Sequence, residues 1–347
     1  MTRPLGPVRY GVLALAALMA GWAMLFFMPT SAYQRYQSLQ YTDYIKGLWI
    51  YERLNFDPTP VDIAFLGSSR TMEGIDAAAI EADLHKAGIA AHVVNLAVPS
   101  LGLDVPYLLG RMLVETKRPR IVFLETDYLV TRMTNPVFPL VATAEDVLRA
   151  PLLVNERLLP NLLSVAARNL TLAWRHLTQG EPEFDPSGYY GPHWEDVYRV
   201  IGHNGTKGRP RLAHMDQAQF EAEAARWRGN VLRKSQQYDS WAWLELHYAE
   251  AYQMRLVALL RESGAKIVFL SMPAVGTPEP PFHDAELRQY GSFWPLPDVV
   301  SRDYTLWDNP THMNYRGAEL YSAWLAQQLR SGQGRLLEAI PAASNDP

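Results

Sequence analysis

Val61–Asp76 reads VDIAFLGSSRTMEGID. Val61 and Ile63–Leu66 make a short apolar run of the kind that fills a buried strand, and Gly67-Ser68-Ser69-Arg70 ends it abruptly with a turn-forming glycine, two hydroxyls and a cation. A helix-like run of Ala, Ile, Glu and Leu then starts at about position 76. Strand, polar turn and helix in that order open a parallel sheet with crossover helices. The turn would lie at the carboxyl end of its strand, where open α/β sheets bind ligands. Two readings of the turn stand side by side: a serine that only caps the helix, or a serine that acts as a nucleophile.

The same rhythm continues outward from this unit. A strand at 91–96 (AHVVNL), a helix at 103–116 and a strand at 121–126 (IVFLET) follow it. It resumes with a helix at 241–263 closed by Gly264, a strand at 266–271 (KIVFLS), an apolar piece at 304–307 and a last helix at 317–330. Between these halves, residues 129–240 show no clear strand, hold a helical stretch at 152–178, and include the loop-like GEPEFDPSGYYGPHWED. They read as an insertion or lid. Upstream, Pro58-Thr59-Pro60 marks an entry to something new. The expected organisation is an anchor at 1–30, a stalk at 31–60, a core in two parts at 61–128 and 241–332, the insertion at 129–240 and a tail at 333–347.

Composition narrows the function classes. The chain has 347 residues, 48% of them hydrophobic, which is ample for a packed core. A net charge of −4 and the lack of any Lys/Arg-rich run argue against nucleic acid as a partner. The absence of cysteine excludes disulfides, thiolate metal sites and a thiol nucleophile. Gly11–Met28, GVLALAALMAGWAMLFFM, carries no charge over eighteen residues, about 27 Å as a helix and close to the thickness of a hydrocarbon core. Arg3 and Arg9 precede it, so the positive-inside rule keeps the N-terminus cytoplasmic and sends the rest outward. A cleaved signal peptide is the alternative, with Thr30-Ser31-Ala32 as its small-residue site, but the run exceeds the usual apolar length.

A serine needs a base to take its proton, and histidine steadied by a carboxylate is the usual one. His312, in a proline-containing loop before the final helix and with Asp308 and Asn309 upstream, is the best candidate among nine histidines. Nucleotide-binding glycine signatures are absent. His193 and His203 lack a metal-ligand spacing, so no metal or cofactor is expected. Tyr189, Tyr190, Trp194 and Tyr198 either pack as core or form a stacking platform for sugar rings.

Gly67-Ser68-Ser69 after the first strand, Asn95–Ser100 (NLAVPS) after the second, Glu125-Thr126-Asp127 after the third and Asp308–Gly317 (DNPTHMNYRG) before the last helix carry a resemblance. The chain resembles the SGNH/GDSL hydrolases, specifically the membrane-anchored bacterial branch that includes proteins of cell-surface polysaccharide O-acetylation and teichoic-acid D-alanylation. The resemblance implies a three-layer, flavodoxin-like parallel sheet with a helical insertion and one N-terminal transmembrane helix. It implies Ser69 as nucleophile and His312 as base. The family's acid lies three residues before the histidine, where this chain has Asn309; a one-residue bulge would bring Asp308 into that place, and this is the favoured reading. The oxyanion hole would come from backbone N–H groups of Ser69 and Ser100, with Asp127 where the family has an asparagine donor and Ser100 where it has a glycine. Arg70 and Asn309 would line the substrate site, although Arg70 also reads as a solvated surface residue. The function implied is extracytoplasmic O-acyl transfer or ester hydrolysis on a cell-surface glycan, with a multi-span acyl-donating membrane protein as the partner it suggests. The alternative is a catalytically weak relative that binds glycan or assembles an export machine.

Overall fold

The computed structural model describes residues 7–100, 102–126, 134–153, 155–194, 215–272, 275 and 284–331. The chain opens with three helices, α1 (Pro7–Phe26), α2 (Ala32–Gln37) and α3 (Ile45–Asn55). β1 (Ile63–Leu66), α4 (Ser69–Gly74), α5 (Ala77–Lys86), β2 (Val93–Asn95), α6 (Asp104–Thr116) and β3 (Ile121–Thr126) follow. Helices α7 (Phe138–Val141), α8 (Ala144–Leu148), α9 (Leu158–Gln179) and α10 (Gln217–Glu262) come next. The chain continues through β4 (Lys266–Ser271), α11 (Asp284–Leu287), β5 (Ser292–Trp294), α12 (Asp298–Ser301), β6 (Trp307–Asn309), β7 (His312–Met313) and α13 (Tyr315–Arg330).

Five strands pair in the order β2-β1-β3-β4-β5, every pair parallel. The protein is therefore α/β, with the strand order of doubly wound sheets whose ligand crevice lies between the first and third strands. Alternation along the strands supplies both faces. Ala64, Leu66, Val122, Leu124, Ile267 and Phe269 join one apolar cluster with α6 and α10, while Ile63, Phe65, Ile121, Phe123, Val268 and Leu270 join another with α5 and α13. Phe65 stacks on Phe123 with ring centroids 4.6 Å apart, which locks β1 to β3 in the core.

Three expectations change. Residues 31–60 are no stalk: Leu48, Trp49, Ile50 and Leu54 of α3 are buried in the same cluster as the sheet. Arg53 is also buried, and its guanidinium donates to the carbonyls of Thr59 and Pro60. Charged residues among the apolar ones disguised this helix in the sequence. Secondly, the helix expected at 241–263 belongs to one helix of 46 residues starting at Gln217. Thirdly, β5 occupies what reads as loop, because a three-residue edge strand leaves almost no periodic trace.

α1 runs 20 residues, and Val8–Phe26 is long and apolar enough to cross a membrane. Among the described residues its last turns meet the rest of the chain: Phe26 is buried, and Trp22 and Leu25 pack against the core.

Candidate active site

The turn after β1 is shaped by a carboxylate from the neighbouring strand. Glu125, near the end of β3, accepts hydrogen bonds from Ser68 N–H at 2.7 Å, Ser68 Oγ at 2.7 Å and Thr71 Oγ1 at 2.6 Å. A Cβ at position 67 would collide with that carboxylate and with the Thr71 hydroxyl, so glycine is required there by proximity to Glu125. Ser68 is the N-cap of α4, its side chain accepting from Arg70 N–H. The two serines thus divide the two readings of the turn. Ser68 caps, and Ser69, half-buried at the first helical position, is left with its hydroxyl turned elsewhere.

That hydroxyl meets His312. Ser69 Oγ lies 2.8 Å from His312 Nε2 across 243 positions of sequence. His312 sits on the hairpin of β6 and β7, where the register is irregular between Trp307 and Asn309. Asn314 caps α13 by accepting from Arg316 and Gly317 N–H, and donates to the Thr305 carbonyl, which fixes the hairpin against the last helix.

The far side of the ring faces Asn309 and Thr311. Thr311 Oγ1 is 2.9 Å and Asn309 Oδ1 3.2 Å from His312 Nδ1. Asn309 Oδ1 also accepts from Thr311 N–H at 3.0 Å and from Thr311 Oγ1 at 2.7 Å, so this atom is the amide oxygen. The Thr311 hydroxyl proton is spent on Asn309, so both neighbours of Nδ1 act as acceptors and Nδ1 carries the ring's proton. In the neutral ring Nε2 is then the nitrogen without a proton, placed to accept from Ser69 Oγ–H. The irregular register expected of this hairpin is present, but the residue it offers to Nδ1 is Asn309 rather than Asp308. Asp308 stands one step out, accepting from Asn309 Nδ2 at 3.4 Å. Asn309, expected to line the substrate site, supports the ring instead.

The remaining candidates fall as follows. Ser100 adopts φ = 75°, the left-handed region that favours glycine, where the resemblance expects a glycine. Its loop runs beside the Ser69 turn, since Val98 N–H donates to the Gly67 carbonyl. Asn135 Nδ2 donates to the carbonyls of Pro99 and Ser100, and Asn135 N–H is itself held by Asp104. Asp104 is fully enclosed, and burial pushes its carboxyl up to about 7. Arg70 is buried, its guanidinium donating to the Met272 carbonyl at 3.1 Å and lying 6.0 Å over the Trp227 ring, so it joins α4 to the end of β4 and is no solvated surface residue. Asp127 lies outside the described residues, as do Tyr198 and His203. Trp194 packs on Trp49, and the Tyr189 hydroxyl donates to Asp57, so both serve the core, whereas Tyr190 is exposed.

Glu125 is the residue that sequence reading passed over. Its signal was present, a carboxylate in the last turn-facing positions of an otherwise apolar strand, but it reads equally as a strand end. Elsewhere, Glu81, His85 and His92 bring atoms of metal-ligand type within 4.8 Å of one another at the amino-terminal end of β2. Glu81 already accepts from Val93 N–H there and lies 3.6 Å from Nδ1 of His92 and 3.4 Å from Nε2 of His193.

A scan of protein-family models, a search of curated proteins and a search of solved structures return no match for this chain.

Proposed function

We propose that this protein is a membrane-anchored, extracytoplasmic serine acyl-transfer enzyme of the SGNH type, acting on acyl groups of a cell-surface polysaccharide. The observation that carries the reading is the 2.8 Å approach of Ser69 Oγ to Nε2 of His312 at the carboxyl end of β1. Ser69 Oγ attacks the acyl carbonyl carbon while Nε2 takes its proton. Backbone N–H groups of Ser69 and Ser100 receive the developing oxyanion. Collapse breaks the ester bond, the leaving oxygen takes the proton from Nε2, and an acyl-Ser69 remains. Water in an esterase, or a sugar hydroxyl in a transferase, then attacks the acyl carbon as Nε2 takes its proton; collapse breaks the acyl–Ser69 bond, and Ser69 Oγ takes that proton back. α1 serves as the tether, with Arg3 and Arg9 on the cytoplasmic side, and a multi-span acyl-donating membrane protein is the partner this arrangement suits.

A second reading, a catalytically weak glycan-binding or assembly component, is favoured by one observation: a neutral amide, not a carboxylate, faces Nδ1. In a serine protease the equivalent exchange costs about 10⁴-fold in rate. Fluorophosphonate labelling and p-nitrophenyl acetate hydrolysis by the detergent-solubilised full chain separate the two. Labelling of Ser69, with hydrolysis falling at least about 100-fold in Ser69→Ala and in His312→Ala, is expected. An unlabelled Ser69 with the variants hydrolysing as fast as wild type would replace the enzyme reading with the second one.

A further inference from the structure

The buried side of helix α9 mixes Val165, Ala166 and Leu172 with Asn161, Arg168 and Asn169. Its outward side carries Leu159, Leu163, Leu170, Trp174 and Leu177, which are 54% to 79% exposed. Successive spacings of four, seven, four and three residues put these five on one face, where a helix facing water carries polar residues. Leu148, Leu152 and Leu153, just before α9, are also exposed. Apolar residues scattered singly on a surface mean little, but a continuous ridge marks a contact.

The position of the ridge identifies the contact. α9 packs on α1, and Asn169 Nδ2 donates to the carbonyls of Leu25 at 2.9 Å and Phe26 at 3.1 Å, capping the end of α1. At about 1.5 Å per residue, α1 is about 30 Å long, no more than the hydrocarbon thickness it has to cross. No slack follows it: Phe26 is buried in the body, and α2 begins at Ala32. A body fastened to the last turn of a helix with no spare length is drawn down to the acyl–headgroup boundary. The element fastened to that turn is α9.

We propose that α9 is a second membrane element, lying in the interface with its Leu159–Leu177 ridge in lipid and Trp174 at headgroup depth, where amphipathic rings favour the boundary. The ridge thereby sets how the Ser69 crevice is held relative to the membrane. This rests on the reading of α1 as a membrane span.

The absence of cysteine permits single labels. Leu163→Cys, Leu170→Cys and Leu177→Cys test α9, Leu15→Cys reports on α1, and Leu320→Cys on the exposed side of α13 is the aqueous control. Each full-length variant carries an environment-sensitive nitrobenzoxadiazole label and is reconstituted at low density in phosphatidylethanolamine/phosphatidylglycerol vesicles. Quenching by a lipid with a shallow nitroxide is compared with quenching by iodide on both sides of the membrane. Expected are at least twofold lipid quenching and resistance to iodide at all three α9 positions, with the opposite at 320. Iodide quenching at α9 overturns the proposal, as does protection from both quenchers, which would mean that a second copy covers the ridge. If position 15 escapes lipid quenching, the anchor reading itself fails. Lipid quenching at 15 but not on α9 removes this inference alone.

Discussion

At the scale of single residues, the unusual feature is a neutral amide where a charge would be expected. Asn309 Oδ1 holds the tautomer of His312 but does not stabilise an imidazolium as a carboxylate would. The other two donors that reach this atom, Thr311 N–H and Thr311 Oγ1, suit a carboxylate equally well. Asn309→Asp is therefore expected to raise the rate of acyl-ester hydrolysis by about tenfold or more, and to raise the pH at which the base titrates. Asp308→Asn, one step further out, should change the rate by less than about tenfold. Steady-state rates of both variants across pH 5 to 9 check this assignment. A collapse of activity in Asp308→Asn would mean that Asp308 is the group that supports the ring.

At the scale of elements, the β1–α4 turn is built from its neighbour β3. Glu125 is a positioning residue: its carboxylate holds Ser68 and Thr71, and through them the first turn of α4, but it does not touch the Ser69 hydroxyl in any hydrogen bond found among the described residues. Removing it in Glu125→Ala strands an N–H and two hydroxyls in the interior, at about 1–3 kcal/mol each. We expect a loss of about 3 kcal/mol or more in urea unfolding, together with slower fluorophosphonate labelling of Ser69. Glu125→Gln keeps one acceptor oxygen and should fall between the two. A loss below about 1 kcal/mol in Glu125→Ala would show that water replaces these bonds without penalty.

At the scale of the whole molecule, Asp104 gathers segments far apart in sequence. It accepts from Asn135 N–H and from the Tyr248 hydroxyl, and so ties the start of α6 to α10 and to the strap that holds the Pro99 and Ser100 carbonyls. Because burial raises its carboxyl to about 7, the folded chain retains a proton that the unfolded chain has released above about pH 4. Folding is thus coupled to proton uptake. The Asp104 contribution to stability is lost as pH rises through that window, by at most about 1.4 kcal/mol per pH unit. Asp104→Asn removes this titration, so the stability of the variant relative to wild type should rise between pH 5 and pH 7 in parallel urea melts. A difference that stays flat with pH would remove Asp104 as the proton-linked group.

The sequence by itself determined the α/β class, because strands buried on both faces are short continuous apolar runs, and β3 and β4 were legible to the residue. Through the resemblance carried by its polar blocks it also singled out Ser69 and His312, which lie 2.8 Å apart. Only the tertiary structure decided that α3 is core rather than stalk, that Asn309 and not Asp308 meets the ring, and that Glu125 builds the turn. The physical reason is the same in each case. Burial of α3 depends on a partner surface, the residue facing Nδ1 depends on a local register shift, and the grip of Glu125 depends on two strands lying side by side 57 positions apart in the chain. Periodicity reports what a segment prefers alone, whereas these three outcomes are set by what folding brings next to it.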